Sequence, residues 1–236
     1  NLVNEAAILA ARRYKKAIGG EELAESIDRV IAGPAKKNKV ISAREKEMVA
    51  YHEAGHALVA HLLPNADPPY KVTIVARGHT GGHTRFLPDE ETSLVTQNQL
   101  EARMAAAMGG RAAEELMFYE VTTGAGNDIE QATSIARSMI TKLGMSKKLG
   151  PRTFRKREEL VFRGGETGDG ADFSDSTGGT IDEEVHGLVE NAYSTATSLI
   201  KGNMGKLSAL AKHLLEHETI QGDELKNLLD SAPAAA

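Results

Sequence analysis

Bulky packing material is nearly absent from this chain: its 236 residues include five Phe, five Tyr and no Trp, an aromatic content of 4%. Packing must therefore rest on Ala, Leu, Ile, Val and Met, which favours close-packed helices over an aromatic-rich β-sandwich. The sequence is 41% hydrophobic, enough for one sizeable core or one core with a small appendage. We expect a mainly α fold with a small β-sheet or hairpin attached.

Glycine, proline and capping residues divide the chain. Leu2, Ala6, Leu9 and Ala10, followed by Arg12, Arg13, Lys15 and Lys16, predict an amphipathic helix with its cations toward the C-terminal end, stopped by Gly19-Gly20. A second short helix follows with Leu23, Ile27, Val30 and Ile31 on one face, ended by Gly33-Pro34. Residues 35–41, with Lys36, Lys37 and Lys39, read as a linker. Ser42 and Glu45 form a capping-box pattern, opening a helix that Pro64 prevents from passing Leu62.

Strands are expected at Val72–Val75 and His83–Leu87, on either side of the glycine-bearing run 78–82. An Ala- and Met-rich helix from Thr96 is expected to be interrupted at Gly109-Gly110, and another helix to run from Asn127 to Leu143. The Gly-, Asp-, Ser- and Thr-dense stretch 164–179 reads as a loop, with Thr180 capping the long helix after it. Leu207, Leu210, Ala211, Leu214 and Leu215 predict a further helix, Glu224–Leu229 a short final one, and 231–236 a tail.

Composition excludes several kinds of function. A formal charge of -5 does not suit a surface built to cover a phosphate backbone, so no nucleic-acid partner is expected. Without Cys there is no disulfide, thiolate nucleophile or Cys-ligated zinc. No apolar run is long enough to span a bilayer. The start lacks both a secretory pattern and an initiator Met and reads as the middle of a larger chain, so a membrane is expected only through segments missing from this one.

The chemistry concentrates at His52-Glu53-Ala54-Gly55-His56, the pattern His-Glu-x-x-His. Residues four apart on a helix share a face, so both imidazoles can point at one Zn2+, with Glu53 beside its open position. A carboxylate there can take a proton from attacking water and later deliver it to a leaving nitrogen. Val49, Leu58, Val59 and Leu62 can hold this helix to a core, where metal-free imidazoles would leave ring nitrogens to satisfy.

Catalytic zinc takes three protein ligands and leaves one position for water. Asp128, in the first turn of a helix after Thr123-Gly124-Ala125-Gly126, is the strongest third candidate; helix-terminal charge complementation is the blander account. Glu114 and Glu115 can serve as ligand or as acceptor for an imidazole N–H, and Arg111 can orient either one. His61 points well away around the helix, and His79 and His83 fit substrate contact or plain surface placement equally well. Spacing alone leaves the third ligand open.

His52-Glu53-Ala54-Gly55-His56, Phe86-Leu87-Pro88, Gly109–Glu115 and Thr122–Asp128, in that order, resemble the FtsH-type membrane-anchored AAA+ zinc proteases, peptidase family M41. The resemblance covers Ser42 to about Leu229, and the start of the chain is similar to the end of that family's ATPase lid. It implies an ATPase-lid remnant at 1–34, a linker at 35–41, a zinc peptidase domain at 42–230 and a tail at 231–236. It further implies Zn2+ held by His52, His56 and Asp128, with Glu53 as general base. The implied assembly is a homo-hexamer fed with unfolded or extended polypeptide by ATP-driven translocation. The implied location is a soluble fragment of a membrane-anchored parent, on the cytoplasmic, matrix or stromal side. No Walker-type loop is present, so the ATPase is expected to lie outside this chain, and Gly81-Gly82-His83 departs from the family's Leu-Gly-aromatic pattern. Two rival readings are a proteolytically silent oligomerisation or scaffold domain with a structural metal, and a zinc peptidase of another fold without an ATPase partner.

Overall fold

Helix α3 (Ala43–Leu62) is buried on all sides from Ala50 to Ala60, and the remaining elements are arranged around it. Its start is fixed as the sequence predicts, with the Ser42 hydroxyl accepting a hydrogen bond from the Glu45 amide at 3.1 Å. The computed structural model describes residues 1–35, 42–78, 80–87, 94–154 and 172–233. The linker residues 36–41, His79, Pro88 and the first part of the Gly-rich stretch (164–171) lie outside the described residues.

Against α3 packs α4 (Gln97–Phe118), capped by Thr96 and Gln99. The expected interruption at Gly109-Gly110 is absent, because α4 runs unbroken through both glycines. A Cβ built at Gly55 would lie 2.3 Å from the Gly109 carbonyl oxygen, and one at Gly109 would lie 2.6 Å from the Gly55 carbonyl oxygen. The glycines therefore let two helix backbones touch, which explains residues that weaken a helix taken alone.

Helix α5 (Gly126–Thr141) starts slightly before the expected Asn127 cap, directly after a single 3-10 turn at Thr123–Ala125. Helix α6 (Asp175–Lys201) starts five residues before the expected Thr180, so 175–179 is helix rather than loop. Ser174 provides the earlier cap, accepting from the Thr177 amide at 3.3 Å, and Asp175 places an acid in the first turn. With α7 (Met204–His217) and α8 (Gly222–Ser231), these helices enclose a core including Leu58, Met104, Met139, Ile140, Ile200, Leu207, Leu210 and Leu214.

The sheet is three-stranded and antiparallel, in the order β2-β1-β3, built from β1 (Pro69–Thr73), β2 (His83–Phe86) and β3 (Thr219–Gln221). Strand β1 begins earlier than the expected Val72–Val75, and β3 is too short to have a readable period. Because β1 is central, β2 is an edge strand whose outer side pairs with no other strand among the described residues. Among the described residues no helix is long and apolar enough to cross a membrane.

The N-terminal hairpin of α1 (Leu2–Arg12) and α2 (Gly20–Ala32) departs from expectation at its turn. Gly19 caps the start of α2 instead of ending α1, which stops before Tyr14 at a φ of 55°. The apolar face of α2 also points outward, with Leu23, Val30 and Ile31 exposed, while Glu22, Ser26 and Asp28 are buried. Charge pairing outweighs apolar pattern here: Glu22 meets Arg13 at 2.7 Å and Lys15 at 2.9 Å, and Asp28 meets Lys71 at 2.5 Å and Arg85 at 3.0 Å. The hairpin docks on the sheet through ions.

Candidate metal centre

His52 and His56 lie one turn apart on α3, with their rings edge to face and their Nε2 atoms 3.0 Å apart. Asp128, in the first turn of α5, brings Oδ2 to 3.2 Å from Nε2 of His52 and 3.4 Å from Nε2 of His56. A tetrahedral zinc with arms of about 2.0–2.1 Å separates its ligand atoms by about 3.3 Å, so the three donors are spaced as three corners of such a site. Among the described residues they form the one group of three or more His, Cys, Asp or Glu side chains able to hold a metal ion.

The backs of both rings are engaged. Nδ1 of His56 lies 2.8 Å from the Ala106 carbonyl, which can only accept, so Nδ1 carries a proton and in the neutral ring the lone pair is on Nε2. Nδ1 of His52 is 2.7 Å from Oε1 of Glu114, a buried carboxylate held by the Thr122 amide at 2.7 Å and the Thr122 hydroxyl at 3.1 Å. With both rings neutral, as metal ligands must be, their Nε2 lone pairs meet at one point, oriented by partners outside the cluster; without a metal, Nε2 protons fill that point and face Asp128. A Cβ at Gly110 would lie 2.5 Å from Cε1 of His52 and 2.6 Å from each Nε2, so only glycine leaves room for the rings.

The charges of the cluster are strongly coupled. Burial works against a charged His52, yet Asp128 and Glu114, with the nearby charge of Glu53, raise its pKa to about 10. Burial likewise works against the Asp128 carboxylate, but its hydrogen bonds to both histidines hold it well below the ordinary range. A divalent ion among neutral imidazoles would supply that positive charge directly.

Glu53 is 6% exposed and opens onto the same cleft of about 990 Å³, as do Gly82, Thr84, Phe86 and Gln131. The Thr84 hydroxyl lies 2.8 Å from Oε2 of Glu53. Of the other candidates, Glu114 supports His52 from behind, while Glu115 accepts a hydrogen bond from Tyr193 and Arg111 lies over the Tyr193 ring. His61 pairs with Asp230 at 3.1 Å, and His83 faces Asp28 at 3.6 Å. Sequence reasoning named Thr122 only as part of the Thr122–Asp128 run, without a role, and did not single out Thr84 or the Ala106 carbonyl. Thr122 carries a local signal, since its hydroxyl accepts from the Gly124 amide two residues on. The other two meet the site only through tertiary packing.

The family model described as Peptidase family M41 matches residues 39–228. The chain belongs to peptidase family M41. Among its M41 relatives, the ATP-dependent zinc metalloprotease FtsH 1 of Sphaerobacter thermophilus is 56% identical over 230 residues, covering 98% of this chain and 35% of that protein. FtsH of Chloroflexus aggregans is 48% identical over 233 residues (97% and 36%), and FtsH of Thermotoga maritima 48% identical over 230 residues (97% and 38%). The chain thus spans about a third of the length of the curated relatives it matches.

Proposed function

We propose that this M41 chain is a zinc-dependent endopeptidase unit in which His52, His56 and Asp128 hold the metal and Glu53 is the general base. The observation that carries the reading is the meeting of three donor atoms, 3.0–3.4 Å apart, beside a carboxylate on the wall of an open cleft. Three protein donors suit a catalytic ion, whereas a structural zinc takes four. Zinc, when bound, supplies Lewis acidity that makes water a nucleophile near neutral pH. Glu53 accepts the proton of the attacking water and passes it to the leaving amide nitrogen. Glu114 and the Ala106 carbonyl keep both imidazoles turned toward the metal throughout.

The substrate is an unfolded or extended polypeptide. The free edge of β2 offers backbone groups to an extended chain, giving affinity with little sequence preference. Residues 1–34 are the remnant of an ATPase lid, joined by 35–41 to the peptidase domain at 42–230, with 231–236 as a tail. The working assembly is a homo-hexamer supplied by an ATP-driven module, in a parent protein anchored to a membrane with this domain on its cytoplasmic, matrix or stromal side. The names of the relatives support the zinc and ATP dependence.

Glu53→Gln tests the chemistry. It retains both imidazoles and is expected to keep zinc while losing cleavage of an unfolded protein; undiminished cleavage refutes the role. Asp128→Ala is expected to lower zinc occupancy more than fold stability, and unchanged zinc affinity would move the third ligand elsewhere.

A further inference from the structure

Glu53 is the one member of the proposed chemistry whose carboxylate must aim at a moving proton, and its support comes from β2. The Thr84 hydroxyl lies 2.8 Å from Oε2 of Glu53 and 3.1 Å from the Glu53 backbone carbonyl, so its single proton is shared between two oxygens of the same residue. The other carboxylate oxygen faces Gly82, where a Cβ would lie 3.0 Å from Oε1, 2.9 Å from Cγ of Glu53 and 2.6 Å from the Thr73 carbonyl oxygen. A side chain at Gly82 would therefore press on the carboxylate, which is hydrogen-bonded to Thr84 through its other oxygen. Thr84 is itself fixed by the β1–β2 register, opposite Val72.

We propose that Thr84 is the positioning residue of the general base, its hydroxyl holding the Glu53 carboxylate in the orientation that receives the proton. The proposal rests on the endopeptidase reading above. A hydrogen bond to an ionised group is stronger than a neutral one, and a misaimed base loses rate without losing substrate. The base is also tied to the strand whose free edge borders the cleft. Displacement of β2 and displacement of the base are then one event.

The test uses the zinc-loaded protein with Thr84→Val, which keeps the β-branched shape and removes the donor, and Thr84→Ser, which restores the donor. Zinc content, melting temperature, and kcat and KM on an internally quenched peptide are measured for each. Thr84→Val is expected to lower kcat by about tenfold to a hundredfold, with KM within about twofold and zinc retained. Thr84→Ser is expected to return kcat to within about threefold of the wild type. A Thr84→Val protein with wild-type kcat, or a Thr84→Ser protein as slow as Thr84→Val, overturns the proposal. If the wild type cleaves nothing, the endopeptidase reading fails, and the proposal is judged on the carbon-13 signal of the Glu53 carboxylate. That signal is expected to move in Thr84→Val and return in Thr84→Ser, and a signal indifferent to both overturns the positioning role.

Discussion

Replacing Gly110 by Ala adds one methyl group at the most crowded point of the metal centre. The new Cβ would stand 2.5–2.6 Å from the ring atoms of His52 and His56, and neither ring can simply swing aside. The Nδ1 of His52 is held by Glu114 at 2.7 Å and that of His56 by the Ala106 carbonyl at 2.8 Å. Relief to ordinary contact requires each Nε2 to retreat by about 0.8 Å, whereas metal–ligand distances tolerate about 0.2 Å. Disturbing only the partners behind such ligands weakens metal binding about 10- to 100-fold, and moving two ligands directly should reach the upper end. At free zinc about a hundredfold above the wild-type Kd, zinc stabilises the wild type by about 2.7 kcal/mol and a variant with a hundredfold weaker Kd by about 0.4 kcal/mol. Urea unfolding with zinc buffered at that level and again with chelator measures both increments, and competition with a chromophoric chelator gives the Kd. The expected result is that about 2.3 kcal/mol of zinc-linked stability disappears. A Gly110→Ala protein with the wild-type zinc increment would mean that the rings do not define the metal site.

Two further perturbations separate the helix crossing and the docked hairpin from the metal. Gly55→Ala drives a methyl into the Gly109 carbonyl at 2.3 Å, a backbone atom, so α3 and α4 must part; we expect a loss of about 1–3 kcal/mol or more in urea unfolding even with chelator present, and an unchanged midpoint refutes the crossing. Burial would raise the Asp28 carboxyl, but the His83 ring, Lys71 and Arg85 outweigh it and hold it well below the ordinary range. A depressed folded pKa means that this contribution is complete above the unfolded value of about 3.9 and is lost as pH falls toward the folded one. The protection factors of α2 amides, corrected for intrinsic exchange, should therefore fall on acidification below about pH 4 in the wild type, while Asp28→Asn should show low protection already at neutral pH; parallel protection profiles would show that Asp28 does not hold the hairpin.

Much of this was legible because it is local. His52, Glu53 and His56 sit within one turn, Ser42 and Glu45 within another, and spacings of four and three residues specify them without reference to the rest of the chain. What failed to show was set by partners distant in sequence. Gly109-Gly110 has the same local signature whether it ends a helix or lets two helices touch, and only Gly55, more than fifty residues away, decides between them. Leu23, Val30 and Ile31 form a readable apolar face on α2, but which face of α2 meets the sheet was not readable, because the cations that pair with buried Asp28 come from β1 and β2. Asp128 stood between these cases: its helix start was readable, but its approach to Nε2 of two histidines is a tertiary fact.

The coincidence of the proposed metal centre with the close crossing of α3 and α4 has a physical reason. Gly55 lies inside the His-Glu-x-x-His turn, and its missing side chain brings α4 close enough for the Ala106 carbonyl to reach Nδ1 of His56 and for Glu114 to reach Nδ1 of His52. Ala106 and Glu114 lie two turns apart along α4 and flank Gly109 and Gly110, so one rigid helix fixes both imidazoles at once. A looser crossing would leave the rings free to rotate, and each would lose its donor orientation before the metal arrived. The glycines therefore bear on zinc affinity without providing a ligand, and a methyl at either face of the crossing should weaken the site more than its volume suggests.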